Sequence, residues 1–270
     1  MSFQPPAPPE ETVRRVLDAR GTLTYAVDPA PTVLDALVRT LDGSDADPGA
    51  RLLVRTEQLK DQVEDFLFAS LLANLDARDA VAYRTAPAFP NGNLLLFGDA
   101  AVQLFDLEGR LAAVSTDAEP VREALASQAA ERWEGAEPFS LRTPARSAVT
   151  ETIGDELGQT ARGDFAGIVD SLDTARGDGH GLDEVTIALL VAAKNEALLY
   201  DISKWGEDVG LASKATFSRT KSDLEELGLI ATEKVPIDVG RPRLRLKFAD
   251  ERLRSADADE LASVALGLME

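Results

Sequence analysis

Residues Ser213–Phe248, SKATFSRTKSDLEELGLIATEKVPIDVGRPRLRLKF, form the stretch that says most about the fold. The stretch holds eight basic and five acidic residues, so its net charge is +3 in a chain whose net charge is −19. The rest of the chain therefore carries −22. The pattern is a helix followed by two strands, which is the layout of a winged helix-turn-helix. A segment that reverses the charge of its own chain is typical of a surface that faces an anionic partner.

The first half of this stretch predicts a helix that Ser213 caps and Gly228 ends. At about 100° per residue, four residues fall on one side, and we expect them to face the core. They are Phe217, Thr220, Leu224 and Leu227. The residues that point away are Ala215, Ser218, Arg219 and Ser222, with Lys214 and Lys221 on one flank. Small and hydroxyl side chains beside an arginine suit a recognition helix that enters the major groove of DNA.

The second half predicts a two-stranded wing. The segment LIATEKV leads through the turn residues IDVGR into PRLRLKF, where apolar and basic residues alternate. The apolar side, which we expect to face inward, consists of Leu244, Leu246 and Phe248. The outer side carries Arg243, Arg245 and Lys247. A solvated edge strand whose charges only prevent aggregation would show the same alternation. We favour a wing because helix, turn and ribbon occur together at the right spacing.

The predicted DNA-binding residues lie on this helix and this wing. Those of the helix are Ser213, Lys214, Thr216, Ser218, Arg219, Lys221 and Ser222, and those of the wing are Arg241, Arg243 and Arg245. The outward helix face would read base edges, whereas the wing and the helix flanks would hold phosphates or enter a minor groove.

Two further helices are predicted ahead of the recognition helix, so that the winged helix-turn-helix covers residues 181–250. Asp183 caps the first of them. The second opens near Asp201 and turns Ile202 and Trp205 inward. Val209–Leu211 supplies the tight turn between the second and third helices.

Residues 11–142 predict an α/β domain in which a mixed sheet carries flanking helices. Short apolar runs such as Leu23–Val27 and Arg51–Arg55 alternate with helical stretches, which is a βαβ rhythm. From Asn93 to Thr116 the runs are separated by turn residues and predict an antiparallel meander. A helix from about Glu119 to Trp133 closes the domain. The Pro-rich residues 1–10 predict a disordered lead.

The segment 145–176 predicts a helical connector. Its apolar residues recur at spacings of three and four: Val149, Ile153, Leu157, Ala161, Phe165, Ile168 and Leu172. One such stripe fits a helix lying on its own domain and a dimer-forming connector equally well. Three glycines around His180 predict a flexible joint after it.

A C-terminal helix is predicted over residues 256–270. Its apolar residues are Leu261, Val264, Ala265 and Leu268. Helix-turn-helix proteins usually read paired half-sites, so we expect a homodimer, with either this helix or the 145–176 stripe as its interface.

Composition narrows the functional classes. The chain has no cysteine and one histidine, which excludes disulfides and thiolate chemistry and leaves little zinc chemistry. No phosphate-binding glycine loop, dinucleotide fingerprint or nucleophile elbow is present, so we expect no enzyme, no cofactor and no metal. No secretory signal and no run of roughly 20 apolar residues is found, which predicts a cytoplasmic protein without membrane contact. The −19 charge resembles that of proteins from salt-accumulating halophiles.

The run ASKATFSRTKSDLEELGLI (212–230) with GRPRLRL (240–246) resembles the winged helix of archaeal and bacterial regulators. The layout of most of the chain resembles the haloarchaeal TbsP family of transcriptional regulators. The resemblance implies a DNA-binding regulator of central carbon metabolism that acts alongside a TrmB-type sugar-responsive regulator. One departure is Thr220, where related recognition helices usually carry a larger apolar residue.

The sequence thus predicts a regulator that binds double-stranded DNA. The α/β domain would sense a small-molecule effector or contact a partner. Two alternatives stay open. The winged helix could be a protein-contact module of a partner that does not itself bind DNA, and the α/β domain could be an enzyme by fold analogy alone.

Overall fold

The computed structural model describes residues 2–44, 49–89, 92–176, 182–237 and 242–269. The chain divides into two compact units. The first comprises Met1–Val63 and Leu71–Leu141, and the second comprises Glu64–Ser70 and Arg142–Glu270. No helix in the described parts of the chain is both long enough and apolar enough to cross a membrane.

The first unit is built on a mixed sheet. Its strands are β1 (Ser2–Ala7), β2 (Leu23–Val27), β3 (Ala50–Arg55), β4 (Val81–Ala86), β5 (Leu94–Phe97), β6 (Ala101–Leu107), β7 (Arg110–Thr116) and β8 (Glu137–Pro138). Over the described ranges the sheet has eight strands in the order β1-β7-β6-β5-β2-β3-β4-β8. The β2–β3 and β3–β4 pairs are parallel and the other pairs antiparallel.

Helical crossovers and short turns explain this mixture. The helices are α1 (Pro9–Arg20), α2 (Pro31–Asp42), α3 (Thr56–Gln62), α4 (Phe66–Ala77) and α5 (Glu119–Gly135). Parallel neighbours need a crossover, which α2 gives β2 and β3, whereas a two-residue turn can join antiparallel neighbours. Glu108 and Gly109 form such a turn between β6 and β7, with φ of 55° and 81°. The predicted βαβ rhythm and meander are both present.

The residues of one sheet face pack against α5. This face contributes Tyr25, Val27, Leu53, Leu94, Leu96 and Ala101 to a buried cluster. Ala129 and Trp133 of α5 complete the cluster from the helix side. The sheet therefore buries apolar residues beneath α5 over β2, β3 and β5.

The N-terminal residues differ from the disordered lead that the sequence predicts for 1–10. Ser2–Ala7 forms β1 and pairs with β7, with Phe3 opposite Val114. Pro5 and Pro6 lack an N–H donor, which an edge strand tolerates because one of its sides has no partner strand. The register shifts between Gln4 and Ala7, where these prolines lie.

The second unit is helical and ends in a ribbon and two more helices. Its remaining elements are α6 (Arg146–Leu157), α7 (Gln159–Ser171), α8 (Glu184–Lys194), α9 (Leu199–Asp208), α10 (Lys214–Glu226), β9 (Ile230–Val235), β10 (Arg243–Phe248), α11 (Glu251–Ser255) and α12 (Ala258–Met269). The predicted fold class, an α/β domain followed by a winged helix-turn-helix, is confirmed.

The predicted connector over 145–176 consists of two helices, because Gly158 breaks it with a φ of 97°. Val149 and Phe165 are completely buried in the same core as α8. The indole N–H of Trp205 on α9 donates to the Thr152 hydroxyl over 3.0 Å. The apolar stripe thus packs within its own unit, which is one of the two roles open for it from the sequence.

The C-terminal helix also packs on this unit. Leu261 and Ala265 of α12 are completely buried, and α12 contacts α7. A Cβ atom at Gly167 of α7 would lie 2.9 Å from Cβ of Ala258, so the two helices approach closely. Both segments expected as dimer interfaces therefore pack on the core of this unit, with Leu157, Leu172, Val264 and Leu268 only partly buried. The joint around His180 lies outside the described residues.

Candidate nucleic-acid interface

The helices α8, α9 and α10 and the ribbon of β9 and β10 follow one another as in a winged helix-turn-helix. Two predicted N-caps are present. The Asp183 carboxylate accepts from the N–H of Thr186 over 2.7 Å, and the Ser213 hydroxyl accepts from the N–H of Thr216 over 3.1 Å. Gly228 has a φ of 72° just after the last residues of α10, and the next N–H bonds back to Leu224 O over 3.0 Å. These local contacts fix where α10, the predicted recognition helix, begins and ends.

Close packing fixes the angle between α9 and α10. A Cβ atom at Gly206 would lie 2.2 Å from Cε2 of Phe217, which is completely buried. Gly210 in the connecting turn has a φ of 79°, and the N–H of Leu211 bonds to Gly206 O over 2.8 Å. Gly206 was not predicted as important, because its role depends on a contact with the next helix.

The inward side of α10 is shorter than predicted. Phe217 and Leu224 are buried and Thr220 is partly buried, as expected. Leu227 was expected to face the core, and this is wrong because its side chain is 48% exposed. It lies after the last full turn of α10, where the chain leaves the helix, and Leu229 takes up the buried position instead.

The opposite side of α10 carries mostly small side chains and faces solvent. Ala215, Ser218 and Arg219 are exposed there, and Ser222 is partly exposed beside them. The Ser222 hydroxyl donates to Ser218 O over 3.1 Å, so it retains acceptor capacity. The side chains of Ser213 and Thr216 bond to each other over 2.9 Å at the start of the helix, where they serve the cap.

The lysines of α10 have carboxylate partners within the chain. Nζ of Lys214 lies 2.7 Å from Oε2 of Glu207, and this hydrogen bond raises the pKa of Lys214. Nζ of Lys221 lies 2.6 Å from Oε2 of Glu225, and its side chain is only 12% exposed. Burial opposes ionisation of Glu225, but hydrogen bonds from Lys221 and Thr232 outweigh it and lower the pKa of the carboxyl. Two of the three cations of α10 are thus already neutralised.

The strand β10 alternates as predicted. Leu246 and Phe248 are buried and Leu244 is partly buried, whereas the basic residues lie on the other side. Nζ of Lys247 lies 2.6 Å from Oε2 of Glu233 across the ribbon. Arg245 pairs with Glu233 in the strand register and forms a bridge with Leu198.

Arg243 is held at the base of the wing. Its guanidinium lies 3.7 Å from the ring centroid of Tyr200 and 3.4 Å from Oδ1 of Asp201. A cavity of about 410 Å³ lies between α9, α10 and the wing, and Tyr200, Ser218 and Arg243 line it. Arg241, also predicted as a wing contact, lies outside the described residues.

The cations without an ion pair set the electrostatics of this surface. In the described parts of α10 and of the ribbon of β9 and β10, Arg219, Lys234 and Arg245 have no carboxylate within 4.0 Å. Arg219 is therefore the cation of α10 that is free to bind another molecule. In the described ranges, His, Asp and Glu form no group of three that could hold a metal ion.

Comparison with known proteins matches both units to one family. The model of the TbsP-like N-terminal domain of transcriptional regulators matches residues 7–144. The model of the TbsP-like C-terminal helix-turn-helix domain matches residues 145–266. No curated protein matches the chain.

Among solved structures, one similar chain is TrmBL2, an archaeal chromatin protein described as showing a novel mode of DNA binding. The identity is 14% and the TM-score 0.36. The match covers 48% of this chain and 49% of that chain, so it spans about half the length of each.

Proposed function

We propose, from the premise that the chain belongs to the TbsP-like family of transcriptional regulators, that α10 reads base pairs in the major groove of double-stranded DNA. The observation that carries this proposal is the outward face of α10, where small side chains surround an exposed Arg219 that has no carboxylate partner. Ala215 and Ser218 leave the first two turns of that face open to a groove, and the acidic residue of that face, Glu226, lies in the last turn of the helix. Base reading by α10 would serve the regulation of transcription, which is the role of the family.

Each side chain of the face has a chemistry that suits base edges. The Arg219 guanidinium can donate two parallel hydrogen bonds to O6 and N7 of guanine. Ser218 can donate or accept, Ser222 can accept, and the Ala215 methyl group can contact a thymine methyl. The short side chains let the backbone of α10 come close to the base pairs. Arg219, the one long cation of this face, distinguishes guanine from the other bases.

Phosphate contacts would come from the start of α10 and from the wing. The first N–H groups of a helix have no partner in that helix, and a phosphate at the start of α10 would compete with the Ser213 hydroxyl, which holds the N–H of Thr216. Arg241, Arg243 and Arg245 would line the wing side of the duplex. Lys214 and Lys221 would join them only by exchanging their carboxylates for phosphate.

We further propose that the targets are genes of central carbon metabolism in a halophilic archaeon. The support is the resemblance to TbsP regulators together with the acidic composition of the chain. A homodimer on paired half-sites, a TrmB-type regulator as partner and a small-molecule effector at the α/β unit complete the proposal.

One observation favours the alternative of a protein-contact module. The helix α10 contains three basic and three acidic residues, so its formal charge is zero. A partner protein could dock on such a surface without the electrostatic attraction that DNA binders usually use.

Chromatin immunoprecipitation with sequencing, followed by a mobility shift on the enriched fragments in concentrated potassium chloride, separates the two roles. Discrete enriched promoters that the purified chain shifts would support DNA binding. No shift on any fragment, with a second regulator co-purifying, would support the alternative.

A further inference from the structure

The outer strands of the sheet in the first unit have one buried face and one open face. On the buried face, Val102, Leu104, Leu111 and Ala113 are each at most 2% exposed, and α1 packs against β1 and β7. Alternation along a strand places the residues between them on the other face. There Phe3 is 65%, Phe105 47% and Leu107 49% exposed.

The register shows that these side chains share one surface. Phe3 lies opposite Val114, and Val114 lies opposite Gln103 on β6. Phe105 and Leu107 follow Gln103 at intervals of two, so they point to the same side. We call this surface the outer sheet face; it consists of Phe3, Gln103, Phe105, Leu107, Arg110, Ala112 and Val114, with Arg110 opposite Leu107 at its end.

The helix α5 covers only the neighbouring part of the sheet. It packs on β2, β5 and β6, and a groove of about 320 Å³ runs between Leu125 of α5 and the strands. Val121, one turn before Leu125, is 47% exposed. Within the described part of the first unit, the large apolar side chains that are exposed are Phe3, Phe105, Leu107 and Val121. The exposed apolar surface of this unit is thus concentrated on one side of the sheet.

We propose that the outer sheet face is the surface on which a second copy of this chain docks to form the homodimer; this inference rests on the dimer included in the proposed function. Two copies with a charge of −19 each repel, so a contact without carboxylates adds least to that repulsion. The outer sheet face contains no acidic residue. A two-fold contact places a patch against itself, which an apolar face satisfies and an acidic face does not.

The contact is face to face rather than edge to edge. β1 is the edge strand next to the outer sheet face, and its Pro5 and Pro6 cannot donate backbone hydrogen bonds to a further strand. The apolar stripes of α7 and α12 pack mostly within the chain, where Phe165, Ile168, Leu261 and Ala265 are completely buried, so they offer a second copy less apolar surface. In a dimer joined through the first units, the recognition helix of each copy would stay free for DNA. Reading two half-sites requires two such helices.

The test is light scattering of the full chain and of Phe105→Asp over a range of protein concentrations in concentrated potassium chloride. Phe105 is half exposed in one chain, so the aspartate is tolerated there, but it meets its own copy across the two-fold axis. We expect the wild-type chain to be dimeric and the dimer dissociation constant of the variant to rise by about 100-fold or more. Leu227→Asp is the matched control, because it adds the same charge at an apolar residue of equal exposure in the other unit, and it should stay dimeric.

A monomeric wild-type chain, or a Phe105→Asp variant that dimerises as the wild type does, would overturn the inference. A duplex with a single half-site distinguishes this failure from failure of the proposed function. Phe105→Asp should bind the half-site as well as the wild type does and bind the full operator more weakly. If the wild-type chain does not bind the half-site, that result would count against the DNA-binding proposal itself.

Discussion

Gly206 on α9 faces Phe217 on α10 so closely that a Cβ atom would lie 2.2 Å from Cε2 of the ring. The ring of Phe217 is completely buried, so it cannot move away without disturbing the core of the unit. This contact positions the recognition helix relative to the helix before it. The orientation of the outward side of α10 therefore depends on one glycine, Gly206.

Gly206→Ala should destabilise the second unit by about 1–3 kcal/mol, because the methyl group overpacks a filled core. Urea unfolding measures the loss. Gly163→Ala on α7 is the control, since no atom lies within 4 Å of its added Cβ, and it should be neutral or stabilising by up to about 1 kcal/mol. Equal effects of the two substitutions would show that Gly206 is not under packing constraint.

Leu224 and Leu227 are three residues apart on α10, yet they should respond differently to truncation. Leu224→Ala should cost about 2–5 kcal/mol because Leu224 is buried. Leu227→Ala should change the free energy of unfolding by less than about 0.5 kcal/mol because Leu227 is half exposed. Thermal and urea unfolding of the two variants measure these changes in the free energy of unfolding. Similar losses of stability in both would contradict the exposure of Leu227.

DNA binding should depend weakly on salt for a protein of this class. The proposed phosphate contacts of the wing are Arg241, Arg243 and Arg245, whereas Arg219 is assigned to a base and Lys214 and Lys221 are held by carboxylates. Each phosphate contact contributes about −0.9 to the slope of log K against log salt, so we expect a slope no steeper than about −3. Fluorescence anisotropy across potassium chloride concentrations gives this slope. A slope of about −6 would mean that the paired lysines also bind phosphate.

Glu207→Gln should free Lys214 to bind phosphate. Affinity for DNA at low salt should rise several-fold, and the salt slope should steepen by about 1. Glu251→Gln, which removes the same charge from α11, serves as the control and should leave the slope unchanged. An unchanged slope in both variants would place Lys214 outside the interface.

The Asp250 carboxylate caps α11 and binds the Arg252 guanidinium over 2.9 Å. The hydrogen bonds from the Arg252 side chain and N–H lower the pKa of Asp250 to about 2. Because the pKa is lower in the folded chain than its ordinary 3.8, the stabilisation is present above about pH 4 and is lost as the pH falls through about 2. A carbon-13 NMR titration should find this midpoint, and Arg252→Gln should raise it. A wild-type midpoint near 3.8 would contradict the contact.

Features that depend on neighbours in the sequence were predictable. The caps by Asp183 and Ser213 involve a side chain and an N–H three residues later, so the local pattern suffices. The alternation in β10 fixes its inner and outer sides in the same way. The outward face of α10 follows from helical periodicity, and all of its predicted residues are at least partly exposed.

Features that depend on distant partners were not predictable. Residues 2–7 contain two prolines and become a strand only because β7 offers them a free edge. The stripe from Val149 to Leu172 could have met a second chain, and only the fold shows that α8 and α9 cover it. The partner of Lys214 is Glu207 on the preceding helix, so the sequence of α10 alone could not predict this ion pair.

The most direct test of the central claim compares Arg219→Ala with Arg245→Ala on the operator and on a scrambled duplex of equal length. If Arg219 reads a base and Arg245 holds phosphate, Arg219→Ala should weaken operator binding by about 1–3 kcal/mol and leave binding to the scrambled duplex nearly unchanged. Arg245→Ala should weaken binding to both duplexes equally. Equal losses on both duplexes for Arg219→Ala would contradict base reading by α10.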